Sequence, residues 1–213
     1  EICSGLVGSE MCIRDRPLLM RVSIGLAAWV GPAILIYGGW LIADQWLTGL
    51  SQPFSIAIGG FAPPLGINLY IDGLSLLFAF AVQLLGLLCW PYKLDKESGR
   101  RQALMLLLIA ASTGLALSGD LFNLYVFYEL VAVATFGLIA VSATGAAYAA
   151  TLRYLLLSGI GSVLTLLGIA LIYAQTGTLN LAHLAALAPE QLNNPLGLTA
   201  FLSILIGVGV KAE

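Results

Sequence analysis

Charged side chains are scarce in this sequence. Only 9% of its 213 residues are charged, whereas 60% are hydrophobic. A water-soluble domain carries about 25% charged residues, so this chain has too few to cover a surface that faces water. The composition therefore predicts a protein embedded in the lipid bilayer. The net charge of -2 excludes the strongly basic surface that binds nucleic acid.

Cysteine and histidine are also rare. Cys3, Cys12 and Cys89 form no CxxC motif and have no histidine nearby, so we predict neither a metal site nor a disulfide. The single histidine, His183, belongs to a short amphipathic stretch, and we expect it at the surface.

The first sixteen residues differ from the rest of the chain. They contain neither a long apolar run nor the basic, apolar and small-residue order of a signal peptide. We predict that residues 1–16 are a non-native leader. Residues 17–213 are then a partial transmembrane domain, and we expect both ends to be truncated.

Six apolar segments follow, each close to the about 20 residues that a membrane-spanning helix needs. The predicted helices are 22–47, 69–90, 102–118, 121–141, 152–174 and 196–213. The Gly- and Pro-rich stretch 51–66 predicts a short hairpin or an irregular loop outside the hydrocarbon. The fold class expected is an all-α membrane protein with a bundle of about six transmembrane helices.

The basic residues predict the orientation of this bundle. Alternating the membrane sides at each segment places eight of the nine lysines and arginines on one side: Arg14, Arg16, Arg21, Lys93, Lys96, Arg100, Arg101 and Arg153. The positive-inside rule assigns that side to the cytoplasm. Arg153, at the start of the fifth segment, is interpreted as a cytoplasmic anchor.

Two ionisable residues fall inside predicted membrane helices. Glu129 follows Asp120 by nine residues, which is about 13 Å along a helix and near the middle of a core of about 30 Å. Lys211 lies deep in the last segment, after Gly207 and Gly209, which predict a bent or broken helix. Charges at such depth usually mark ion routes. The alternatives are a structural carboxylate at Glu129 and a lysine that extends to the cytoplasmic edge at Lys211.

Two further acids lie near the predicted outer ends of helices. Asp72 precedes the helix expected near Gly73, and Asp120 follows a sharp Ser118–Gly119 turn. Aspartate at such a position caps exposed backbone N–H groups. Helix capping is the favoured interpretation of both, and proton access is the alternative.

Four separated motifs carry a resemblance to a known superfamily. SGDLFNLYVFYELVAVATFGLIA at 118–140 resembles the fifth helix of the D subunit of multisubunit Na+/H+ antiporters. IDGLSLLFAF (71–80), LRYLLLSGIGSVLTLLGIALIYAQTGTLN (152–180) and GVGVKAE (207–213) resemble other parts of the same superfamily. That superfamily includes the proton-pumping, antiporter-like subunits of respiratory complex I and of membrane-bound hydrogenases.

The resemblance implies a fourteen-helix parent built from two inverted repeats, of which this chain would hold helices two to seven. It further implies that Glu129 and Lys211 form the proton-transfer pair, and that the subunit binds no redox cofactor. The implied partners are other membrane subunits of an antiporter or respiratory complex, protons, Na+ and the lipid bilayer of a bacterial or archaeal cell membrane.

Three functions remain open from the sequence. The leading hypothesis is a proton-translocating subunit of a cation/proton antiporter, a transporter more than an enzyme. The second is a pumping subunit of a complex I-type NADH:quinone oxidoreductase or a membrane-bound hydrogenase. The third is a structural membrane scaffold or a nonfunctional fragment.

Overall fold

Seven helices account for most of the described chain. A computed structural model describes residues 29–48, 53–57, 67–92 and 97–212. The helices are α1 (29–47), α2 (Gly73–Leu88), α3 (Ser98–Ala116), α4 (Leu121–Ala140), α5 (Gly145–Thr176), α6 (Leu181–Gln191) and α7 (Pro195–Lys211). The predicted leader at 1–16, the basic residues Arg14, Arg16, Arg21, Lys93 and Lys96, and the cysteines Cys3 and Cys12 lie outside the described residues.

Two of these helices are long and apolar enough to cross a membrane. They are α4, with 20 residues, and α5, with 32. The apolar helices α2 and α7 are shorter, at 16 and 17 residues, and α3 carries Arg100 and Arg101 in its first turn. The described helices thus provide two clear spans, and the count of six crossings stays a prediction.

A two-stranded antiparallel sheet adds to the mostly helical fold, and its first strand lies within the stretch 51–66, for which a short hairpin or an irregular loop was predicted. Strand β1 (Phe54–Ala57) pairs antiparallel with β2 (Asn68–Ile71), so residues 69–71, predicted as helix, are extended. The Tyr70 N–H also donates to the Leu117 carbonyl at 2.9 Å. These non-local backbone hydrogen bonds satisfy the extended segment, and α2 begins only after Asp72.

Backbone hydrogen bonds tie three segments together at one end of the bundle. The Gly119 N–H donates to the Asn68 carbonyl at 2.9 Å, and the Leu121 N–H donates to the Leu179 carbonyl at 2.8 Å. The Leu181 N–H donates to the Gly119 carbonyl at 3.1 Å. This junction joins β2, the α3–α4 turn and the α5–α6 turn, and it therefore fixes the position at which α4 starts.

Helix α5 starts earlier than the predicted segment at 152–174. Thr144 caps it, accepting from the Ala147 N–H at 3.2 Å. The added residues, GAAYAAT at 145–151, are rich in alanine, which has the highest helix propensity. Arg153 consequently lies within the helix, where it is exposed, and not at the start of the helix.

Helix α7 is continuous, so the break predicted at Gly207 and Gly209 does not occur. It runs through Gly207 and Gly209 to Lys211. A Cβ added at Gly207 would collide with the Thr165 hydroxyl and lie 2.6 Å from the Gly161 carbonyl oxygen of α5. Gly207 therefore serves close helix packing and does not interrupt the helix.

The helices pack in series, and α5 with α7 is the most extensive pair. Helix α3 packs on both α2 and α4, and α4 packs on α5. Close α5–α7 approach recurs at Gly168, where an added Cβ would lie 2.6 Å from the Ala200 carbonyl oxygen. Small residues at such interfaces let helix backbones approach closely in membrane proteins.

Candidate functional site

Glu129 and Lys211 form an ion pair between two apolar helices. Glu129 lies in the middle of α4, and Lys211 is the last residue of α7. The Lys211 ammonium Nζ donates a hydrogen bond to Glu129 Oε1. The lysine side chain is only 3% exposed and the glutamate side chain 29% exposed. The two residues singled out by their charge are thus in direct contact, although 82 positions separate them.

Helix α5 contributes a third polar group to this site. The Ser162 hydroxyl donates to Glu129 Oε2 at 3.0 Å. Each carboxylate oxygen therefore has a donor, Lys211 on Oε1 and Ser162 on Oε2. Buried charges are tolerated when they are both paired and hydrogen-bonded, which is the condition that Glu129 meets here.

An aromatic ring lies beside the ammonium group. Lys211 Nζ is 4.8 Å from the centroid of the Tyr128 ring. A cation within about 6 Å of a ring centroid is attracted by the negative face of the ring. Tyr128 therefore gives Lys211 a second, uncharged partner next to Glu129.

Sequence reasoning missed the contributions of Ser162 and Tyr128 to the site. A serine or tyrosine in an apolar helix carries no charge to mark it. The only signal available was the position of these residues in the sequence. Tyr128 directly precedes Glu129. Ser162 lies in the small-residue run SGIGS at 158–162 of α5, and that run indicated only close contact between helices.

Gly161 leaves room for the Lys211 side chain. A Cβ added there would lie 3.2 Å from Lys211 Cγ and 2.6 Å from the Gly207 carbonyl oxygen. A Cβ added at the neighbouring Gly159 would meet nothing within 4 Å. The two glycines therefore form a matched pair, one at the site and one away from it.

We expect Gly161→Ala to destabilise the protein and to displace Lys211 from Glu129. Overpacking a close contact costs about 1–3 kcal/mol, whereas alanine is favoured over glycine in an open helix position by about 0.5–1 kcal/mol. Gly159→Ala should therefore leave the thermal unfolding temperature unchanged or raise it, while Gly161→Ala lowers it and slows proton transport. Equal effects of the two substitutions would contradict the close contact.

Asp72 and Asp120 are both N-caps in the structure. Asp72 Oδ1 accepts from the Ser75 N–H at 2.7 Å, and the Asp72 N–H donates to Ser75 Oγ at 2.9 Å, forming a capping box at α2. Asp120 Oδ1 accepts from the backbone N–H groups of Phe122 and Asn123 at 2.9 and 3.0 Å, at the start of α4.

Two substitutions of Asp120 distinguish a role in helix capping from a role in proton access. Asparagine caps as well as aspartate but does not titrate, whereas alanine costs about 1 kcal/mol at an N-cap. We expect Asp120→Asn to keep wild-type stability and wild-type transport, and Asp120→Ala to lower the unfolding temperature. A loss of transport in a stable Asp120→Asn protein would instead assign Asp120 to proton access.

A cavity of about 210 Å³ lies between α3, α4, α5 and α7, and Tyr128 belongs both to its lining and to the site of the ion pair. Its lining includes Tyr128 and Thr165, and its other walls are mainly aliphatic, with Leu124, Ile169 and Ile204 among them. The surface that faces the cavity is apolar, and apolar cavities stay dry.

The described residues contain no group of three or more His, Cys, Asp or Glu side chains that could hold a metal ion. Cys89 is a free, exposed thiol at the end of α2. His183 is exposed on α6.

Residues 118–213, which contain both Glu129 and Lys211, match the protein family described as NADH:quinone oxidoreductase/Mrp antiporter, TM. The chain belongs to this membrane family. The resemblance predicted from the four sequence motifs is thereby confirmed.

Two kinds of relatives are similar to this chain. The N subunit of the NADH-quinone oxidoreductase of Desulforudis audaxviator is 36% identical over 205 residues, covering 91% of this chain and 40% of the relative. The D subunit of a Na+/H+ antiporter of Bacillus subtilis is 29% identical over 194 residues, covering 89% of this chain and 38% of the relative. The chain thus spans about two fifths of the length of these relatives.

A solved structure shares the fold. A chain of the membrane-bound sulfane sulfur reductase, an archaeal respiratory membrane complex, superposes with a TM-score of 0.78 at 33% identity. The match covers 92% of this chain and 43% of that chain. This neighbour is part of a respiratory membrane complex.

Proposed function

We propose that this chain is a proton-translocating subunit of a multisubunit membrane complex, in which Glu129 and Lys211 handle the proton. In this proposal the subunit crosses the bacterial or archaeal cell membrane several times, as the six apolar segments predict. Its partners are other membrane subunits, and its substrates are protons and, in an antiporter, Na+.

The contact between Glu129 and Lys211 carries the proposal. Ionisable residues inside membrane helices are costly, and they mark proton and ion routes. Here an acid and a base from two different helices meet in an apolar interior, and a hydroxyl completes the carboxylate's hydrogen bonds.

The proposed mechanism is a change in the distance between the two charged groups. While they are in contact, each charge stabilises the other. When they separate, each charge loses the partner that offsets the cost of removing it from water, and this change drives the proton transfer. Alternation between the two arrangements moves protons towards the next subunit or helix repeat.

Cation exchange is our leading candidate for the driving reaction. The segment 119–127, GDLFNLYVF, resembles the D subunit of Na+/H+ antiporters, and this chain is 29% identical to such a subunit. In this version the inward movement of protons is coupled to the outward movement of Na+.

A redox-driven complex is the second candidate, and other relatives of this chain support it. The chain is 36% identical to the N subunit of an NADH-quinone oxidoreductase, and its fold matches a subunit of an archaeal respiratory complex with a TM-score of 0.78. Electron transfer in other subunits would then change the distance between Glu129 and Lys211.

A purely structural scaffold is disfavoured by the same contact. Desolvating an acid and a base is costly, and replacing a buried ion pair with well-packed apolar residues is often neutral or stabilising. A scaffold would have no need to retain Glu129 and Lys211.

The experiment that tests the proposal uses inverted membrane vesicles from cells that express the subunit together with its neighbouring genes. Proton movement is followed with a pH-sensitive dye after adding either Na+ or NADH and quinone. We expect one of the two additions to produce proton movement that vanishes when this gene is deleted and returns on complementation. Unchanged proton movement in the deletion strain would refute the proposal, and the effective addition identifies the driver.

A further inference from the structure

The Ser162 hydroxyl faces two acceptors at the same time. It lies 3.0 Å from Glu129 Oε2 on α4 and 2.9 Å from the Ser158 carbonyl oxygen on its own helix. A serine hydroxyl has one proton to donate and two lone pairs that accept. Rotation about the Cβ–Oγ bond therefore decides which acceptor receives the proton.

We propose that Ser162 is a positioning residue that keeps Glu129 hydrogen-bonded in both of its protonation states. The inference rests on the proposed function, because it concerns the glutamate that takes up and releases the proton. It adds Ser162 of α5 to the two charged residues of that function.

The charged state is the arrangement seen in the structure. Glu129 as a carboxylate only accepts hydrogen bonds. Lys211 donates to Oε1 and Ser162 donates to Oε2, so both oxygens are satisfied.

When Glu129 is protonated, the same atoms are hydrogen-bonded, but the Ser162 hydroxyl is rotated. Glu129 as a carboxylic acid has an O–H to donate, and Ser162 Oγ accepts it from 3.0 Å. The Ser162 proton then turns to the Ser158 carbonyl oxygen at 2.9 Å. The Glu129 O–H and the Ser162 O–H both keep a partner, and only a hydroxyl rotates, so the carboxyl group stays in place while its proton is gained or lost.

Other hydroxyls on these helices show the ordinary pattern. Thr165 Oγ1 donates to the Gly161 carbonyl at 2.9 Å, and Ser203 Oγ donates to the Thr199 carbonyl at 2.8 Å. Each donates to the carbonyl four residues earlier, as Ser and Thr in helices commonly do. Ser162 has that helical acceptor and, in addition, the carboxylate of Glu129.

The test compares Ser162→Ala, Ser162→Thr and the control Ser203→Ala in the intact complex. Ser203→Ala removes the same type of helical hydrogen bond but leaves Glu129 and Lys211 untouched. We expect Ser162→Ala to slow proton transport about tenfold, the effect of losing one hydrogen bond to a charged group. Ser162→Thr, which retains a hydroxyl, and Ser203→Ala should transport at wild-type rates.

The infrared C=O band of protonated Glu129, identified by its loss in Glu129→Gln, supplies a readout that a packing defect would not move. A carboxylic acid without a hydrogen-bond acceptor absorbs at higher frequency, so Ser162→Ala should raise this frequency and Ser162→Thr should not. If Ser162→Ala fails to assemble, Ser162→Cys keeps the volume with a weak S–H donor, and we expect it to slow transport as well.

The outcomes separate this inference from the proposed function. Wild-type transport and an unmoved band in Ser162→Ala, with no transport in Glu129→Gln, would overturn the role of Ser162 and leave the proposed function standing. Wild-type transport in Glu129→Gln would overturn both.

Discussion

Replacing Glu129 with glutamine is expected to abolish coupled proton transport while leaving the complex assembled. Glutamine has nearly the same shape, and its amide oxygen accepts a hydrogen bond from Ser162 or Lys211, but it neither takes up nor releases a proton. Lys211 also keeps the Tyr128 ring, 4.8 Å from Nζ, as a partner. Transport by inverted vesicles should therefore fall to the level of the deletion strain. The amount of assembled complex, measured by native gel electrophoresis, should stay near wild type.

Glu190→Gln is the matched control for this substitution. Glu190 lies on α6 and is exposed, so the same chemical change removes an acid without touching the ion pair. We expect Glu190→Gln to transport as wild type does. Wild-type transport by Glu129→Gln would remove Glu129 from the mechanism.

Loss of one member of the pair is expected to destabilise the protein far more than loss of both. Lys211→Met leaves Glu129 without its cation, and Glu129→Leu leaves a 3% exposed ammonium without its anion. Leaving the buried ammonium unpaired costs about 3–5 kcal/mol, and leaving the partly exposed carboxylate unpaired costs less, whereas replacing both with apolar residues is often neutral or stabilising. The double variant should therefore unfold at a higher temperature than either single variant.

This double-mutant cycle is measured by the thermal unfolding of the purified complex. Additive effects of the two substitutions would mean that the charges do not interact, because independent sites add within about 0.3–0.5 kcal/mol. The double variant should also lack proton transport, since a restored fold does not restore a titrating group. Restored transport in the double variant would contradict the role of the pair.

The charged members of the site were predictable because charge is rare in this sequence. Glu129 and Lys211 each interrupt an otherwise apolar segment, and the cost of charge in lipid is what marks them. Their pairing came from the resemblance to the antiporter-like superfamily. No local pattern predicts a contact between residues 82 positions apart, because that contact depends on how α4, α5 and α7 pack.

The uncharged members of the site were not predictable, because they carry no charge that would mark them in an apolar sequence. Ser162 and Tyr128 cost little in a membrane helix, so nothing in their residue type separates them from packing residues. Their roles arise from neighbours on other helices, namely Glu129 for Ser162 and Lys211 for Tyr128.

The differences between the observed fold and the sequence prediction also arise from contacts between residues that are far apart in the sequence. Residues 69–71 continue an apolar run and were predicted as helix, but pairing with β1 holds them as a strand. Gly207 suggested a break because glycine weakens an isolated helix. Its observed role, close contact with Gly161 and Thr165, depends on the position of α5. The capping positions of Asp72 and Asp120, by contrast, are encoded in a few adjacent residues.

Infrared difference spectroscopy of the intact complex during turnover tests the central claim most directly. If Glu129 takes up and releases a proton, the wild-type spectrum contains a carboxylic acid C=O band that appears and disappears with the driving reaction. The account predicts that this band is missing in Glu129→Gln and retained in Glu190→Gln. A band that persists in Glu129→Gln, or no carboxyl change in a wild-type complex that transports protons, would contradict proton transfer at Glu129.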